Sequence, residues 1–164
     1  MLMQLSIEQL NSTPEKITSV AFTGHRETKI NEVENLLNTL VSLIERGARV
    51  FYCGMAKGFD LFAAECVLSL KETYPDISLI ACIPCYGQEK AYSEADKKRY
   101  VQILSKTTQN ILVSENYFKG CMQKRNRYMA DRADVLVAHL KKDAGGTAYT
   151  VNYFLKKNKE IIYV

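Results

Sequence analysis

Six short apolar runs alternate with five segments of helical spacing along this chain, and few architectures accept that order. The runs cover residues 19–23, 50–53, 77–83, 110–113, 134–139 and 160–164. Leu79-Ile80-Ala81-Cys82-Ile83 and Val135-Leu136-Val137-Ala138 lack polar alternation. They read as strands buried on both faces, as in a parallel sheet covered by helices. Between the runs, Val33, Leu36, Leu37, Leu40, Leu43 and Ile44 recur at helical intervals, with Gly47 as a stop. Leu61, Ala64, Val67 and Leu68 repeat the pattern. A third, polar helix is predicted from about Ser93, burying Tyr100, Ile103 and Leu104. A fourth is predicted over 118–132 and a fifth over 147–157. Strands joined by helices pair in parallel through right-handed crossovers. The expected fold is α/β: a three-layer, doubly wound, mainly parallel sheet of six strands.

Composition agrees and narrows the function. The 164 residues suit one domain, expected over 17–164, with residues 1–16 as an N-terminal arm or short helix. No stretch approaches the length of apolar chain that spans a membrane. The first residues lack the basic start and apolar run of a secretory signal. The five cysteines are odd in number and several lie in apolar runs, which suits free thiols in a reducing cytoplasm. Net charge is +4, enough to favour an anionic small ligand but short of a dedicated nucleic-acid binder. Charge therefore argues against a nucleic-acid partner.

Ligands of open parallel sheets bind beyond the carboxyl ends of the strands, where strand order reverses. The loops after the strands are thus the places to look. The first carries Thr23-Gly24-His25-Arg26, which joins an unobstructed backbone to a titratable ring and a phosphate-matching guanidinium. The second carries Gly54-Met55-Ala56-Lys57-Gly58-Phe59-Asp60, two glycines around a lysine before a helix start. It is neither a P-loop nor a GxGxxG motif, and Asp60 also fits a helix N-cap. Glu65, further along that helix, faces either a ligand ribose or water. The third loop carries Pro84 and Gln88, the latter suited to a base or sugar. Cys82 and Cys85 form a CxxC without a second pair; packing explains it better than metal or redox chemistry, and no metal or cofactor is expected. After the fifth strand, Gly145-Gly146-Thr147 opens a helix whose amides, hydroxyl and dipole all favour an anion. On the fourth helix, Arg125 and Asn126 belong either to a solvated face or to the site.

These loops, together with Tyr117 and Met129-Ala130-Asp131, resemble the YpsA-like branch of the SLOG superfamily, which also includes DprA and LOG proteins. The resemblance covers nearly all of the chain after residue 17. It implies a Rossmann-like fold and a site for nucleotides or nucleotide-derived molecules, including ADP-ribose-like ones. The residues expected to bind the ligand, from the strand-end loops and the fourth helix, are Thr23, Gly24, His25, Arg26, Gly54, Lys57, Gly58, Asp60, Pro84, Gln88, Arg125, Asn126, Gly145, Gly146 and Thr147. Proteins of this kind often pair into homodimers, an assembly this sequence does not fix. LOG-type phosphoribohydrolases carry a proline-led glycine motif closed by a catalytic glutamate. The corresponding Ala144-Gly145-Gly146-Thr147-Ala148-Tyr149-Thr150 has neither. Tyr92 stands where related chains carry tryptophan.

The first functional expectation is therefore binding or sensing of a nucleotide-like small molecule. The second is hydrolysis or transfer at an N-glycosidic bond, with Asp60 and Glu65 as carboxylates and His25 as proton donor. The third is DprA-like binding of single-stranded DNA.

Overall fold

The computed structural model describes residues 16–164. The expected arm over 1–16 lies, but for Lys16, outside the described residues. The strands are β1 (Ser19–Gly24), β2 (Val50–Cys53), β3 (Ser78–Ile83), β4 (Gln109–Leu112), β5 (Val135–His139) and β6 (Glu160–Tyr163). The helices are α1 (Leu36–Glu45), α2 (Phe59–Leu70), α3 (Glu94–Lys106), α4 (Cys121–Arg132) and α5 (Gly145–Lys156). All strands run parallel in the order β4-β3-β2-β1-β5-β6. From β1 the chain winds outward through β2, β3 and β4. It then returns to place β5 on the other side of β1.

Alternation along the strands feeds two cores. Val20 and Phe22 of β1 join Phe51, Leu79, Val135 and Val137 against α1, α2 and α3. Ala21 of β1 joins Cys82, Leu136 and Ala138 against α4 and α5. The sheet is therefore covered on both faces, which explains the unbroken apolar runs. Register places Val20 opposite Phe51 on one side and Val135 on the other, so the most buried rungs lie at the centre of the sheet.

Four helix starts differ from expectation, the first being α1, which begins at Leu36 and leaves Val33 in the segment before it. α3 begins as foreseen, with the Ser93 hydroxyl accepting from the Asp96 amide at 3.1 Å. α4 begins at Cys121 rather than Phe118, because Gly120 just before it adopts φ 99°, which helical backbone does not; Phe118 is left exposed. α5 begins at Gly145 rather than Thr147, so both glycines lie in its first turn despite their poor helix propensity. α2 begins after Gly58, which makes Asp60 its second residue and not its N-cap. Among the described residues no helix is long and apolar enough to cross a membrane.

Candidate functional site

The reversal of strand order lies between β1 and β5. A cavity of about 330 Å³ opens above it. It is lined by residues 22–27 from β1 and its loop, and by Ala56 and Asp60 from the next loop and α2. Met122, Gln123, Arg125 and Asn126 of α4 form another wall, and Gly146 and Thr147 of α5 close it. The first amides of a helix have no acceptor within it. No side chain caps α5, so its N-terminal amides stay open to an anion.

The loop after β2 is held in an unusual shape. Met55 adopts φ 62° while fully buried, and its carbonyl accepts from the Tyr92 hydroxyl at 2.9 Å. Gly58 has φ 79°, and a Cβ there would stand 2.3 Å from the carbonyl oxygen of Arg26. The Phe59 amide donates to His25 O at 3.2 Å. The β1 loop and the start of α2 are thus fastened back to back.

Arg125 is the least expected element. Although on a polar helix, it is only 4% exposed. Its Nη1 donates to the carbonyls of Gly54 and, at 3.3 Å, Cys82, while Nε donates to Asn126 Oδ1 at 2.8 Å. The guanidinium therefore gathers the carbonyl ends of β2 and β3. A Cβ at residue 54 would lie 2.7 Å from the guanidinium carbon, so a larger residue there would push the guanidinium off these carbonyls.

Asp60 is 5% exposed, and its Oδ2 accepts from the Ala56 amide at 3.2 Å. Burial pushes its carboxyl up to about 6, with Arg125, the Ala56 amide and Arg26 pulling the other way. Burial wins because little water reaches the group. His25 is pushed below its ordinary value, first by burial and then by His139 and Lys142. Its Nε2 accepts from the amides of Lys141 at 2.9 Å and Lys142 at 3.4 Å. The ring proton thus belongs on Nδ1, and the imidazole is neutral. A neutral ring with Nε2 engaged is a hydrogen-bond donor rather than the strong acid a leaving group needs.

The structure brings Thr23, Gly24, His25, Arg26, Asp60, Arg125, Asn126, Gly146 and Thr147 around one cavity. Lys57 and Gln88 line a second cavity of about 430 Å³ that shares Arg26 and Met122 with the first. Gln88 is spent within the protein: its amide nitrogen donates to Gly54 O at 2.9 Å and its oxygen accepts from the Tyr100 hydroxyl at 3.2 Å. Gly54 and Gly58 shape the frame, Gly145 opens α5, and Pro84 is buried beneath the β3 loop. Glu65 is not brought to the rim. It accepts from Arg99 Nε at 2.7 Å and lines a separate groove between α2 and α3. Sequence reading passed over Glu27, Ala56, Met122 and Gln123 at the first cavity, and Tyr86 and Lys90 at the second. Tyr86 had a signal, an aromatic between Pro84 and Gly87 in a strand-end loop. All five cysteines are free.

A family model described as the YspA SLOG family (YpsA) matches residues 19–163. The chain belongs to this family. Among relatives, a UPF0398 protein of Halalkalibacterium halodurans is 31% identical over 74% of this chain and 64% of its own length. The UPF0398 protein YpsA of Bacillus subtilis is 26% identical over 61% of this chain and 57% of its own length. This chain therefore spans about three fifths of those two proteins. The SPbeta prophage-derived protein YoqJ of Bacillus subtilis is 30% identical, over 79% of this chain and 83% of its own.

Two DprA structures share this fold. That of Streptococcus pneumoniae superposes with TM-score 0.66 at 21% identity, covering 90% of this chain and 50% of its own. That of Helicobacter pylori gives 0.63 at 23% identity, covering 90% and 65%. The latter is described by its single-stranded DNA binding mode. The expectation against a nucleic-acid partner is corrected by this finding. It rested on whole-chain net charge, which averages over the surface, whereas a polyanion responds to charge near its own path.

Proposed function

We propose that the cavity at the β1/β5 reversal binds the phosphate-bearing part of a nucleotide or nucleotide-derived molecule. The observation that carries this is the meeting of uncapped α5 amides, at Gly146 and Thr147, with Arg26 in one cavity at the switch point. Oriented amides and a guanidinium recognise the same anionic oxygens from two sides. Asp60 and the neutral His25 then stand where ribose hydroxyls need an acceptor and a donor.

Gly146 offers a clean test. A Cβ at this position meets nothing within 4 Å, and its φ is not positive. Gly146→Glu leaves the fold intact, since an acid in the first turn complements the helix dipole. It also sets a negative charge in the cavity. Calorimetric titration with ADP and ADP-ribose should show binding to the wild type and loss of at least tenfold in Gly146→Glu. Equal affinity in both proteins refutes the assignment.

Single-stranded DNA is a second reading, favoured by the basic side chains along the rim. Arg26, Lys57 and Lys90 line one side, and Lys141 and Lys142 line a smaller cavity sharing His25 and Glu27 with the first. Anisotropy of labelled oligothymidylate should then fall steeply with salt, because phosphate contacts release counterions. A flat salt dependence removes this reading. A carboxylate for glycosidic-bond cleavage in this cavity would have to be Asp60, since Glu65 lies outside it.

A further inference from the structure

Beside the cavity at the strand reversal, the neighbouring 430 Å³ cavity is walled by two tyrosines that pack on little else. Tyr86 is 73% exposed and Tyr117 is 72% exposed. Met122 and the half-buried Tyr92 supply further apolar wall, and Arg26, Lys57 and Lys90 supply positive charge. Exposed aromatics on a soluble surface commonly mark a place where something else packs. Here the frame beneath them is ordered. The Tyr86 amide donates to Glu115 O at 3.3 Å, tying the β3 loop to the β4 loop. Gly87, at φ 78°, leads into a tight helical turn, Gln88–Ala91, closed by the Tyr92 amide on Glu89 O at 2.9 Å. The Tyr92 hydroxyl then bonds Met55 O in the β2 loop. Three loops are thus joined under the pair of rings.

We propose that this cavity is a second subsite, in which Tyr86 and Tyr117 stack a nucleobase of the molecule whose phosphate sits in the first. The inference rests on the nucleotide reading of the first cavity and deepens it: the ligand has two nucleoside-like units bridged by phosphate. Three observations converge on that class. The two cavities share Arg26 and Met122, so a bound molecule passing from one to the other runs past a guanidinium. A guanidinium at that junction matches a bridging phosphate. Tyrosine faces beside cations suit a planar base attached to an anion, and stacking tolerates every base. A volume of this order is also within the roughly 300–1,000 Å³ of small-molecule sites.

The bridged unit has two sources, a free dinucleotide or neighbouring nucleotides of a single strand, and the test separates them. Four mononucleotides, NAD⁺, the dinucleotide pdTpdT and a twenty-residue oligothymidylate are titrated by calorimetry. The proteins are wild type, Tyr86→Ala/Tyr117→Ala and Tyr86→Phe/Tyr117→Phe. Both positions are exposed, so the variants keep the fold, and unchanged thermal unfolding verifies it. The wild type should hold at least one bridged probe roughly 10- to 100-fold more tightly than any mononucleotide. The double alanine variant should lose that advantage while mononucleotide affinity stays within twofold. The double phenylalanine variant should retain it. Tighter, length-dependent binding of the oligomer over pdTpdT assigns the source to a strand; equal or weaker binding assigns it to a free dinucleotide. Bridged probes no better than mononucleotides, or an advantage that survives the alanine variant, overturn the second subsite alone. Mononucleotides that bind and respond to Gly146→Glu leave the first cavity standing in that case. Failure of every probe to bind the wild type overturns both.

Discussion

Replacement of Asp60 by Asn should make the protein more stable, and by an amount that grows with pH. Asp60 sits in the second position of α2 with one oxygen on the Ala56 amide, and the side chain is shielded from water. Its folded-state pKa, about 6 against an ordinary 3.8, means that the folded protein holds this proton more tightly than the unfolded chain. Below about pH 3 the group is protonated in both states and adds nothing. As pH rises from about 4 to about 6, the unfolded chain ionises first, so stability falls through that window. Above it the loss is constant, and two pKa units amount to about 3 kcal/mol. Asn keeps an acceptor for the Ala56 amide and removes the charge. The measurement is urea unfolding of wild type and Asp60→Asn at several pH values between about 3 and 7.5. Other titrating groups are common to both proteins and cancel in the difference. The variant's advantage should increase by about 3 kcal/mol across the range, or roughly 6–12 °C in Tm. A difference that is flat, or that turns against Asn as pH rises, would show that Arg125 and Arg26 hold the carboxylate ionised, and the burial account would be wrong. The same linkage predicts that affinity for a phosphodiester probe declines as pH passes 6, because an ionised Asp60 repels it.

Arg125→Met should lower stability by about 3 kcal/mol, since it strips hydrogen bonds from the buried carbonyls of Gly54 and Cys82. Thermal unfolding reads this directly, with Arg125→Lys recovering part of the loss. Glu65→Gln should leave ADP and ADP-ribose affinity unchanged, because its partner is Arg99 in a different groove. Its stability should move by less than about 1 kcal/mol, as is usual for an exposed ion pair. A tenfold affinity change would place Glu65 back at the rim.

The strands were legible because burial on both faces leaves no polar alternation, and each expected run overlaps an observed strand to within a residue or two at either end. Helix starts were less so, because one left-handed glycine can set them, as Gly120 at φ 99° does for α4. Glu65 shows how a sequence neighbour of a site can be remote from it. Five residues of α-helix turn a side chain by about 140° and carry it roughly 7.5 Å along the axis. Asp60 therefore faces the cavity at the start of α2, while Glu65 points across to α3. Arg125 was open for a different reason. A polar residue on a helix is solvated or buried according to which backbone carbonyls its layer presents, and those of Gly54 and Cys82 come from strands far away in sequence.

Charge carries the last step. Whole-chain net charge of +4 made a polyanionic partner look poorly matched. Within a Debye length of about 8–10 Å, however, only the trough along the rim matters. Among the described residues its acids are Glu27, Glu32 and Asp60. Glu32 pairs with Lys141, and burial holds Asp60 partly protonated up to about pH 6. Arg26, Lys57, Lys90 and Lys142 remain against Glu27 to set the local field, so the trough is net positive. The feature that distinguishes a small bridged ligand from a strand is then the length over which that field extends, which the oligomer titration measures.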